Sequence, residues 1–504
     1  MSDKVLSVGL VGLGAQIVEV EADVGGGELG TFSIVGLPDK AIFEAKERVR
    51  SAIKSAGLDF PRRKVIVNLA PADFKKQGPS YDLPIAISIL SVSYNLKEDF
   101  RNSVFLGELA LNGDLRPING VLSICSYLQK RKIAKVYVPY QNSLEAKLAP
   151  NLKVFPVKNL KDLFNHLIDK EKIKETKNFR VNFSNNNADF DMANIKGQKQ
   201  AKRALEISAS GGHNVLMFGP PGSGKTLLAK TLVSILPKLS LEESLDITKI
   251  YSIAGKLRKN NLVTKRPFRS PHHSSSPASL LGGGTWPRPG EISLSHRGVL
   301  FLDELLEFPK IILENLRQPL EDGIINISRT SQSTTFPARF ILVGAMNPCP
   351  CGYLGDKDKK CVCSLGQIVN YNKKISGPIS DRIDIFVEVP RVKFDNLVAS
   401  TKNEETSSEI KKRVERAREI QLKRFAGTKI FTNSEMDIKM IKSFCQVDSL
   451  TQKLLEEAVK KLCLSARSYF KTLKIARTIA DLRQGESISF NDVAEALQYK
   501  PRLN

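Results

Sequence analysis

The 504-residue sequence has no run of 18 consecutive apolar residues, which excludes a membrane-spanning helix of ordinary length. Its seven cysteines are an odd number, which is not typical of a secreted disulfide framework. The apolar stretch from Val5 to Val18 is rich in glycine and continues into alternating Val and Glu, so it predicts a strand rather than a signal peptide. We therefore expect a cytoplasmic protein.

Acidic residues are scarce relative to basic ones. The chain has 53 Asp and Glu against 76 Lys and Arg, a formal net charge of +23. A field of this sign attracts polyanions, and each phosphate that a protein neutralises releases counterions, so nucleic acid is the first partner to consider. The alternative is a source whose proteins are basic in general.

The chain is too long for one hydrophobic core, so several domains are expected. Residues 1–168 have the pattern of a mixed α/β domain. Residues 169–190 are rich in Lys, Glu and Asn and predict a linker. Residues 191–395 alternate strand and helix signals, as in a parallel sheet with crossover helices, and residues 396–504 are helical. The fold class is α/β.

Local signals locate several elements in the first region. Asp39 is placed to cap a helix that ends at Gly57. The apolar run 65–69 predicts a strand, and Asn112-Gly113 predicts a hairpin turn.

The last region carries helix signals only. Thr406 and Glu409 form a capping-box pattern at the start of a helix. Further helices are predicted at 448–463, 466–484 and 490–498.

A glycine-rich loop with the pattern G-x-x-x-x-G-K-[ST] lies between an apolar strand, 214–218, and a helix, 227–236. Such a loop wraps its backbone N–H groups around phosphates at a helix N-terminus. Lys225 is expected to reach the β- and γ-phosphates of a nucleoside triphosphate, and Thr226 to bind Mg²⁺. The predicted binding residues of the loop are Gly219, Pro220, Pro221, Gly222, Ser223, Gly224, Lys225 and Thr226.

Polar residues end two further apolar runs. Asp303 and Glu304 follow the strand Val299 to Leu302, where Asp303 would hold Mg²⁺ through water and Glu304 would orient and deprotonate the attacking water. Asn347 follows another such run. Its amide can bind the γ-phosphate or the lytic water; the alternative is a turn-forming residue before Pro348.

Longer signatures accompany these parts: RPFRSPHHSSS at 266–276, GGGTWPRPGEISLSHRGVLFLDEL at 282–305, LRQPLEDG at 316–323, MNPCPCG at 346–352, ISGPISDRID at 375–384 and LSARSYFKTLKIARTIADL at 464–482. With them, nearly the whole chain resembles the Mg-chelatase-like AAA+ ATPase family of ComM and YifB. The resemblance implies a Lon-protease-like N-terminal domain, a P-loop core with a parallel sheet, and a C-terminal helical lid.

The resemblance also implies roles for residues whose function the local sequence does not indicate. Asn347 occupies the sensor position. Arg382 would reach the γ-phosphate of a neighbouring subunit in a ring. Without the resemblance, the alternative is an arginine that forms an ion pair at the surface. Arg467 would contact the phosphates from the lid.

The N-terminal domain is expected to lack peptidase activity. Gln77 to Ser80 resembles the serine motif of Lon-type peptidases, which use a Ser–Lys dyad. The segment that should supply the lysine, Val121 to Ile124, has an aliphatic residue at either place where a lysine could stand. Without a base the hydroxyl is a poor nucleophile, so Ser80 is interpreted as a turn residue.

Four cysteines form two close pairs, Cys349 with Cys351 and Cys361 with Cys363. Two thiolate pairs across a short loop can close a tetrahedral Zn²⁺ site. The alternatives are four reduced cysteines and a redox disulfide switch.

Residues 320–340 predict a β-hairpin with Arg329 near its tip. In related ring helicases such a hairpin points into the central channel, where a cation can bind DNA phosphates. Candidates for the same pore are Arg266, Arg269, His272 and His273. A metal pair of the two histidines is disfavoured, because neighbouring residues of a strand point to opposite faces.

The expected function is an ATP- and Mg²⁺-dependent DNA motor. The resemblance points to a hexameric helicase that drives branch migration of recombination intermediates, including in natural transformation. The alternative is a protein-remodelling motor of the magnesium-chelatase subunit type. A protease is disfavoured by the missing lysine.

Overall fold

The computed structural model describes residues 4–26, 30–76, 78–96, 100–178, 190–257, 262–284, 287–329, 332–356, 358–374, 377–392, 404–428, 430–462 and 464–500. Contacts within the chain separate two units. The first takes in the described residues of 1–183, 241–264 and 330–335, and the second takes in the remainder.

Strands and helices are mixed in the N-terminal part of the chain. They are β1 (Val5–Val11), β2 (Gly14–Gly25), β3 (Phe32–Val35), α1 (Lys40–Ser55), β4 (Lys64–Ala70), α2 (Asp82–Tyr94), β5 (Ser103–Phe105), β6 (Glu108–Leu109), β7 (Leu115–Arg116), α3 (Val121–Lys130), β8 (Lys135–Pro139), α4 (Ser143–Ala146), β9 (Lys153–Val157) and α5 (Leu160–Leu167). Seven strands form a mixed sheet in the order β3-β4-β2-β1-β5-β8-β9. The predicted α/β class is confirmed.

Three local predictions are confirmed in this region. Asp39 caps α1 by accepting a hydrogen bond from the backbone N–H of Ile42 at 2.9 Å. The helix ends just before Gly57, which has a φ of 75°. The run 65–69 lies in β4, whose residues are alternately buried, and the turn at Gly113 joins β6 to β7.

The stretch from Val5 to Val18, predicted as one strand, is two antiparallel strands. β1 and β2 are joined by a tight turn at Gly12, where φ is 61°. A Cβ atom on Gly12 would lie 2.2 Å from Cγ2 of Thr334, so the close approach of these residues requires glycine. The closely spaced Gly12 and Gly14 therefore mark a turn between two strands, which the apolar pattern alone does not reveal.

The central part of the chain contains α6 (Lys199–Gly211), β10 (Val215–Phe218), α7 (Lys225–Ile235), α8 (Leu241–Ile253), β11 (Phe268–Arg269), α9 (Pro277–Leu281), β12 (Gly282–Gly283), β13 (Arg288–Pro289), α10 (Glu291–Leu294), β14 (Val299–Leu302), α11 (Lys310–Asn315), α12 (Arg317–Asp322), β15 (Ile324–Arg329), β16 (Gln332–Pro337), β17 (Ile341–Met346), α13 (Leu365–Asn372), α14 (Gly377–Ser380) and β18 (Ile385–Glu388). Five strands form the expected parallel sheet, in the order β11-β14-β17-β10-β18. β15 and β16 form the predicted hairpin.

Helix α8 belongs to the first unit, although the chain on either side of it lies in the second. The hydroxyl of Ser252 donates to Oε1 of Glu145 at 2.5 Å and accepts from the backbone N–H of Gly120 at 2.8 Å. Glu145 is buried and also accepts from the N–H of Leu122 and the amide of Asn142. These bonds attach α8 to the N-terminal part of the chain.

The C-terminal part is helical, with α15 (Ser407–Arg424), α16 (Ile438–Phe444), α17 (Ser449–Lys461), α18 (Ala466–Leu482) and α19 (Phe490–Gln498). The capping box of Thr406 and Glu409 is confirmed, as are the three helices predicted after it. Helix α16 was not predicted from the sequence. Buried side chains of these helices and of the parallel sheet form one core.

The predicted linker, 169–190, lies largely outside the described residues. Its described part, 169–178, contains neither helix nor strand. Among the helices that the structure describes, none has the length and apolar character needed to cross a membrane.

Candidate nucleotide site

Three neighbouring strands bring the predicted phosphate-binding and metal-binding residues to one edge of the parallel sheet. Phe218, the last residue of β10, is paired with Met346 at the end of β17. Leu302, the last residue of β14, is paired with Gly344 of β17. The glycine-rich loop, Asp303 and Asn347 therefore follow adjacent strands at their carboxyl ends, where α/β sheets bind ligands.

The loop between β10 and α7 needs its glycines. Gly222 and Gly224 have φ values of 77° and 91°, in the left-handed region that favours glycine. Gly219 has no room for a side chain, because a Cβ there would lie 2.1 Å from the carbonyl oxygen of Val389. Helix α7 begins at Lys225, so its first N–H groups face the loop.

Lys225 is mostly buried and its ammonium group is turned into the loop. Nζ donates to the carbonyl oxygens of Gly219 at 2.7 Å and Pro220 at 2.9 Å, and to Oδ1 of Asn347 at 3.4 Å. Burial lowers the pKa of Lys225, and the nearby carboxylate of Asp303 opposes that shift. The ammonium thus lies where a phosphate oxygen can replace the loop carbonyls as its acceptor.

Thr226 and Asp303 are in direct contact. The hydroxyl of Thr226 donates to Oδ2 of Asp303 at 2.8 Å, and the other carboxylate oxygen accepts from the backbone N–H of Glu304 at 3.0 Å. Beside them, the buried hydroxyl of Ser223 has no hydrogen-bond partner among the described residues. A hydroxyl and a carboxylate this close fit the oxygen ligands that Mg²⁺ prefers, and Ser223 retains capacity for a phosphate.

Glu304 has a strained backbone and an exposed side chain. Its φ of 50° lies in the left-handed region, which costs a non-glycine residue on the order of 1–3 kcal/mol. The side chain is 58% exposed, and its Oε2 lies 3.6 Å from Nδ1 of His273. Strain of this kind is concentrated at functional sites, as expected if the backbone aims the carboxylate at a bound substrate.

His273 is a residue of this site that the sequence pattern assigned to a pore. Its ring lies against that of His272, with centroids 4.1 Å apart, while His272 is hydrogen-bonded to Ser274 at 2.7 Å. The proximity of His273 to Glu304 joins residues 31 positions apart. No local signal in the sequence indicates it.

Arg382 lies at the opposite edge of the sheet. Its carbonyl oxygen accepts from the side-chain amide of Asn214 at 3.0 Å, and Asn214 immediately precedes β10. Asn214 and Gly219 are five positions apart, a separation of about 16 Å at the rise of a strand. The structure therefore does not bring Arg382 to the glycine-rich loop of its own chain.

Arg467, in the first turn of α18, lies beside Arg382 rather than beside Lys225. Both guanidinium groups bind Oε1 of Glu321 in α12, Arg382 at 2.5 Å and Arg467 at 2.7 Å. The two predicted phosphate-contacting arginines are thus brought together, away from the phosphate-binding loop.

The four predicted metal-ligating cysteines are also brought together. Their sulfur atoms all lie within 4.8 Å of one another. Cys349 is buried, and the other three are partly exposed.

The arginines assigned to DNA have different surroundings. Arg266 donates to the carbonyl oxygens of Pro237 and Arg297, both at 2.7 Å, and Arg269 forms a bidentate ion pair with Glu291. These contacts occupy their guanidinium groups within the subunit, and a role of either residue in DNA binding stays a prediction. Arg329 ends β15, and its side chain lies outside the described residues.

Ser80 lies in a single 3₁₀ turn, Pro79–Tyr81, where its carbonyl oxygen accepts from Gly107 at 3.1 Å. Gln77 of the same motif lies outside the described residues. Val121 and Ile124 are buried in the first turn and a half of α3. Nearby Lys76 is buried too, with its ammonium on the carbonyl of Pro71.

Comparison with known proteins agrees with this architecture. A family model described as magnesium chelatase, subunit ChlI, matches residues 191–397. Models of subunit ChlI of Mg-chelatase and of its C-terminal region match residues 20–142 and 404–500.

Some curated relatives match nearly the whole chain, and others match a part of it. The competence protein ComM of Haemophilus influenzae is 42% identical, over 97% of this chain and 96% of its own. YifB of Escherichia coli is 40% identical, over 97% and 95%. The magnesium-chelatase subunit ChlI of Euglena gracilis is 27% identical, over 32% of this chain and 53% of its own. The chain therefore belongs to the Mg-chelatase-like AAA+ family that includes ComM and YifB.

Proposed function

We propose that this protein is an ATP-driven DNA motor that acts as a ring of six subunits and moves the branch point of recombination intermediates. The observation that carries the proposal is the full-length similarity to a competence protein, combined with an intact set of nucleotide-site residues. The net charge of +23 supports a polyanionic substrate. Natural transformation is the process in which such a motor would act.

ATP with Mg²⁺ is the ligand that this family implies, and the loop residues fit it. Lys225 would exchange its loop carbonyls for the β- and γ-phosphate oxygens, and the backbone N–H groups of the non-proline residues of 219–226 would surround the phosphates. Thr226 would hold Mg²⁺ directly and Asp303 would hold it through water. The bound metal would neutralise charge that develops during phosphoryl transfer.

Hydrolysis is assigned to Glu304 and Asn347. The Glu304 carboxylate accepts a proton from the attacking water and orients it toward the γ-phosphorus. The Asn347 amide, adjacent to the Lys225 ammonium, hydrogen-bonds the γ-phosphate or that water. His273 positions the Glu304 side chain through their contact at 3.6 Å.

Arg382 and Arg467 act on the nucleotide of a neighbouring subunit. The separation of about 16 Å along β10 keeps Arg382 from its own phosphates. Arg467 shares the partner Glu321 with Arg382, which supports giving both arginines the same role. Arginines that approach from a neighbour complete a site only after assembly, and they stabilise the charge of the transferring phosphoryl group.

DNA contact is assigned to the hairpin of β15 and β16, with Arg329 as the phosphate-binding cation. The N-terminal domain has no proteolytic role in this scheme. We assign this domain to assembly or DNA contact.

A protein-remodelling motor of the chelatase type is the second candidate. The matching family models favour it by their descriptions, since all three refer to a magnesium-chelatase subunit. Against it, the similarity to the Euglena subunit covers 32% of the chain. The two candidates differ in a simple property: only the DNA motor has an ATPase rate that rises when branched DNA is added.

An ATP-dependent branch-migration assay on a synthetic four-way junction tests the proposal. The wild-type protein should resolve the junction into duplex products with ATP and Mg²⁺. Glu304→Gln should bind the junction without resolving it. Wild-type protein that hydrolyses ATP at a rate indifferent to DNA and leaves the junction intact would rule out the DNA motor.

A further inference from the structure

The cysteine cluster has the dimensions of a metal site. Sγ of Cys349 lies 3.4 Å from that of Cys351 and 3.7 Å from that of Cys361, and the sulfurs of Cys351 and Cys361 are 3.6 Å apart. A tetrahedron of thiolates around zinc, with Zn–S of about 2.3 Å, has edges of about 3.8 Å. A disulfide would bring two sulfurs to about 2.05 Å. The observed spacing therefore favours zinc over a disulfide.

Backbone N–H groups point at these sulfurs. The N–H of Cys351 donates to Sγ of Cys363 at 3.4 Å, and the N–H groups of Tyr353 and Val362 donate to Sγ of Cys351. Hydrogen bonds of this kind orient the sulfur ligands of a metal site.

The segment around the cysteines has little apolar packing to hold it. Val362 is 85% exposed and Leu365 is 81% exposed. Helix α13, which follows the last cysteine, has no buried residue. A segment with so little buried surface needs another source of order, and a structural metal ion supplies it.

The same segment touches the phosphate-binding loop. Gly352, between the two cysteine pairs, has a φ of 83°. A Cβ atom placed on it would lie 2.7 Å from Cδ of Pro221 and 3.7 Å from Cγ of Asn347. Cys349 follows Asn347 by two residues, so the position of the cysteine cluster and that of the sensor amide are linked.

We propose that Cys349, Cys351, Cys361 and Cys363 bind one Zn²⁺ and that this metal holds Gly352 against Pro221 and Asn347. Zn²⁺ is bound by four thiolates, so the thiol protons still present are released to solvent, and no redox change is involved. The metal site thereby sets the geometry of the phosphate-binding loop and the sensor. This second half of the inference rests on the proposed ATPase function, whereas zinc binding does not.

Metal content tests the first half. The full-length protein, purified without a histidine tag and dialysed against metal-free buffer, should hold about one zinc per chain. The double variant Cys361→Ser/Cys363→Ser should lose it. Val362→Ser, which changes the exposed residue between the two ligands, is the matched control and should retain it. Replacement by Co²⁺ should give the visible absorption bands of a tetrahedral thiolate site.

Wild-type protein with less than about half an equivalent of zinc, even after anaerobic incubation with zinc and a reductant, overturns the site. Equal zinc in the double variant and in Val362→Ser overturns the ligand assignment. Circular dichroism of the double variant distinguishes loss of the metal from loss of the fold. The zinc content of the wild-type protein tests the site even if the double variant does not fold.

Two glycine variants test the second half. Gly352→Ala should keep its zinc and lose about tenfold or more in ATP turnover, because the new methyl group displaces Pro221. Gly355→Ala is the control for backbone strain, since Gly355 also has a positive φ, 79°, but nothing lies within 4 Å of its Cβ position. Equal activity of the two variants would remove the link to the phosphate-binding loop. Wild-type protein with zinc but no ATPase activity would refute the proposed function and leave the metal site standing.

Discussion

Arg382 and Arg467 donate to the same atom, Oε1 of Glu321, at 2.5 and 2.7 Å. The Arg382 side chain is 11% exposed, and that of Arg467 is 58% exposed. The hydrogen bond from Arg382 holds the pKa of Glu321 below its usual range, with a further contribution from the charge of Arg467. One carboxylate thus pairs two cations.

The first prediction concerns subunit mixing. Arg382→Ala and Lys225→Ala should each abolish ATP turnover, but an equimolar mixture should recover about a quarter of the wild-type rate if interfaces form at random in a closed ring. The recovered sites combine an intact loop from one variant with an intact arginine from the other. The measurement is steady-state ATPase activity against mixing ratio.

Arg467→Ala mixed with Lys225→Ala should behave in the same way, because Arg467 lies with Arg382. Arg416→Ala, which changes an exposed arginine of α15, is the control and should keep its activity without mixing. A mixture as inactive as its components would show that the arginines act within their own subunit.

The second prediction separates binding from hydrolysis. Glu304→Gln should lower kcat by about 10²–10⁴, the usual contribution of a general base, while ATP still binds. Lys225→Ala should weaken ATP binding itself, since the ammonium contacts the phosphates. Single-turnover kinetics and binding of a fluorescent ATP analogue measure the two effects. If Glu304→Gln hydrolyses ATP at the wild-type rate, Glu304 is not the general base.

The third prediction concerns the contact between His273 and Glu304. His273→Ala should lower kcat by about tenfold, or about 1.4 kcal/mol, because the carboxylate loses the group that positions it. The KM for ATP should change little. His272→Ala is the matched control, since this ring binds Ser274 rather than Glu304. Equal losses in both variants would mean that the histidine pair is needed for packing and not for the base.

The fourth prediction is the salt dependence of DNA binding. If six to ten phosphates are contacted, affinity for forked DNA should fall by about 10³–10⁵ between 50 and 200 mM salt. Arg329→Gln should reduce the slope of log K against log salt by about one, whereas Arg329→Lys should preserve it because the charge remains. Fluorescence anisotropy provides the measurement. A flat response to salt would exclude phosphate tracking.

The fifth prediction addresses α8. Ser252→Ala removes a donor to Glu145 and an acceptor for the N–H of Gly120, each of them buried. Leaving such groups unpaired costs about 1–3 kcal/mol, so the amides of 241–253 should exchange with deuterium faster. Ser51→Ala, at an exposed hydroxyl of α1, is the control and should leave this exchange unchanged. Unchanged exchange in Ser252→Ala would mean that α8 is held by other contacts.

Local chemistry was predictable from the sequence wherever neighbouring residues decide the outcome. The cap at Asp39, the capping box at Thr406 and the glycine-rich loop before the helix at Lys225 each depend on residues within a few positions of one another. The order of apolar runs was sufficient to predict the parallel sheet, because crossover connections allow few alternatives. The turn at Gly12 was missed, since a run of apolar residues and glycines is compatible with one strand or two.

The tertiary structure decided the relationships between distant residues. Ser252 binds Glu145 across 107 positions, and Arg467 binds Glu321 across 146. Residue type and spacing determine which groups bind phosphate, metal or water, but not which of them meet. Partners so far apart in the chain are selected by the packing of whole helices and strands, which depends on all the contacts of the core together. The sequence therefore specified the parts of the nucleotide site, and the fold specified that Arg382 and Arg467 are kept away from it.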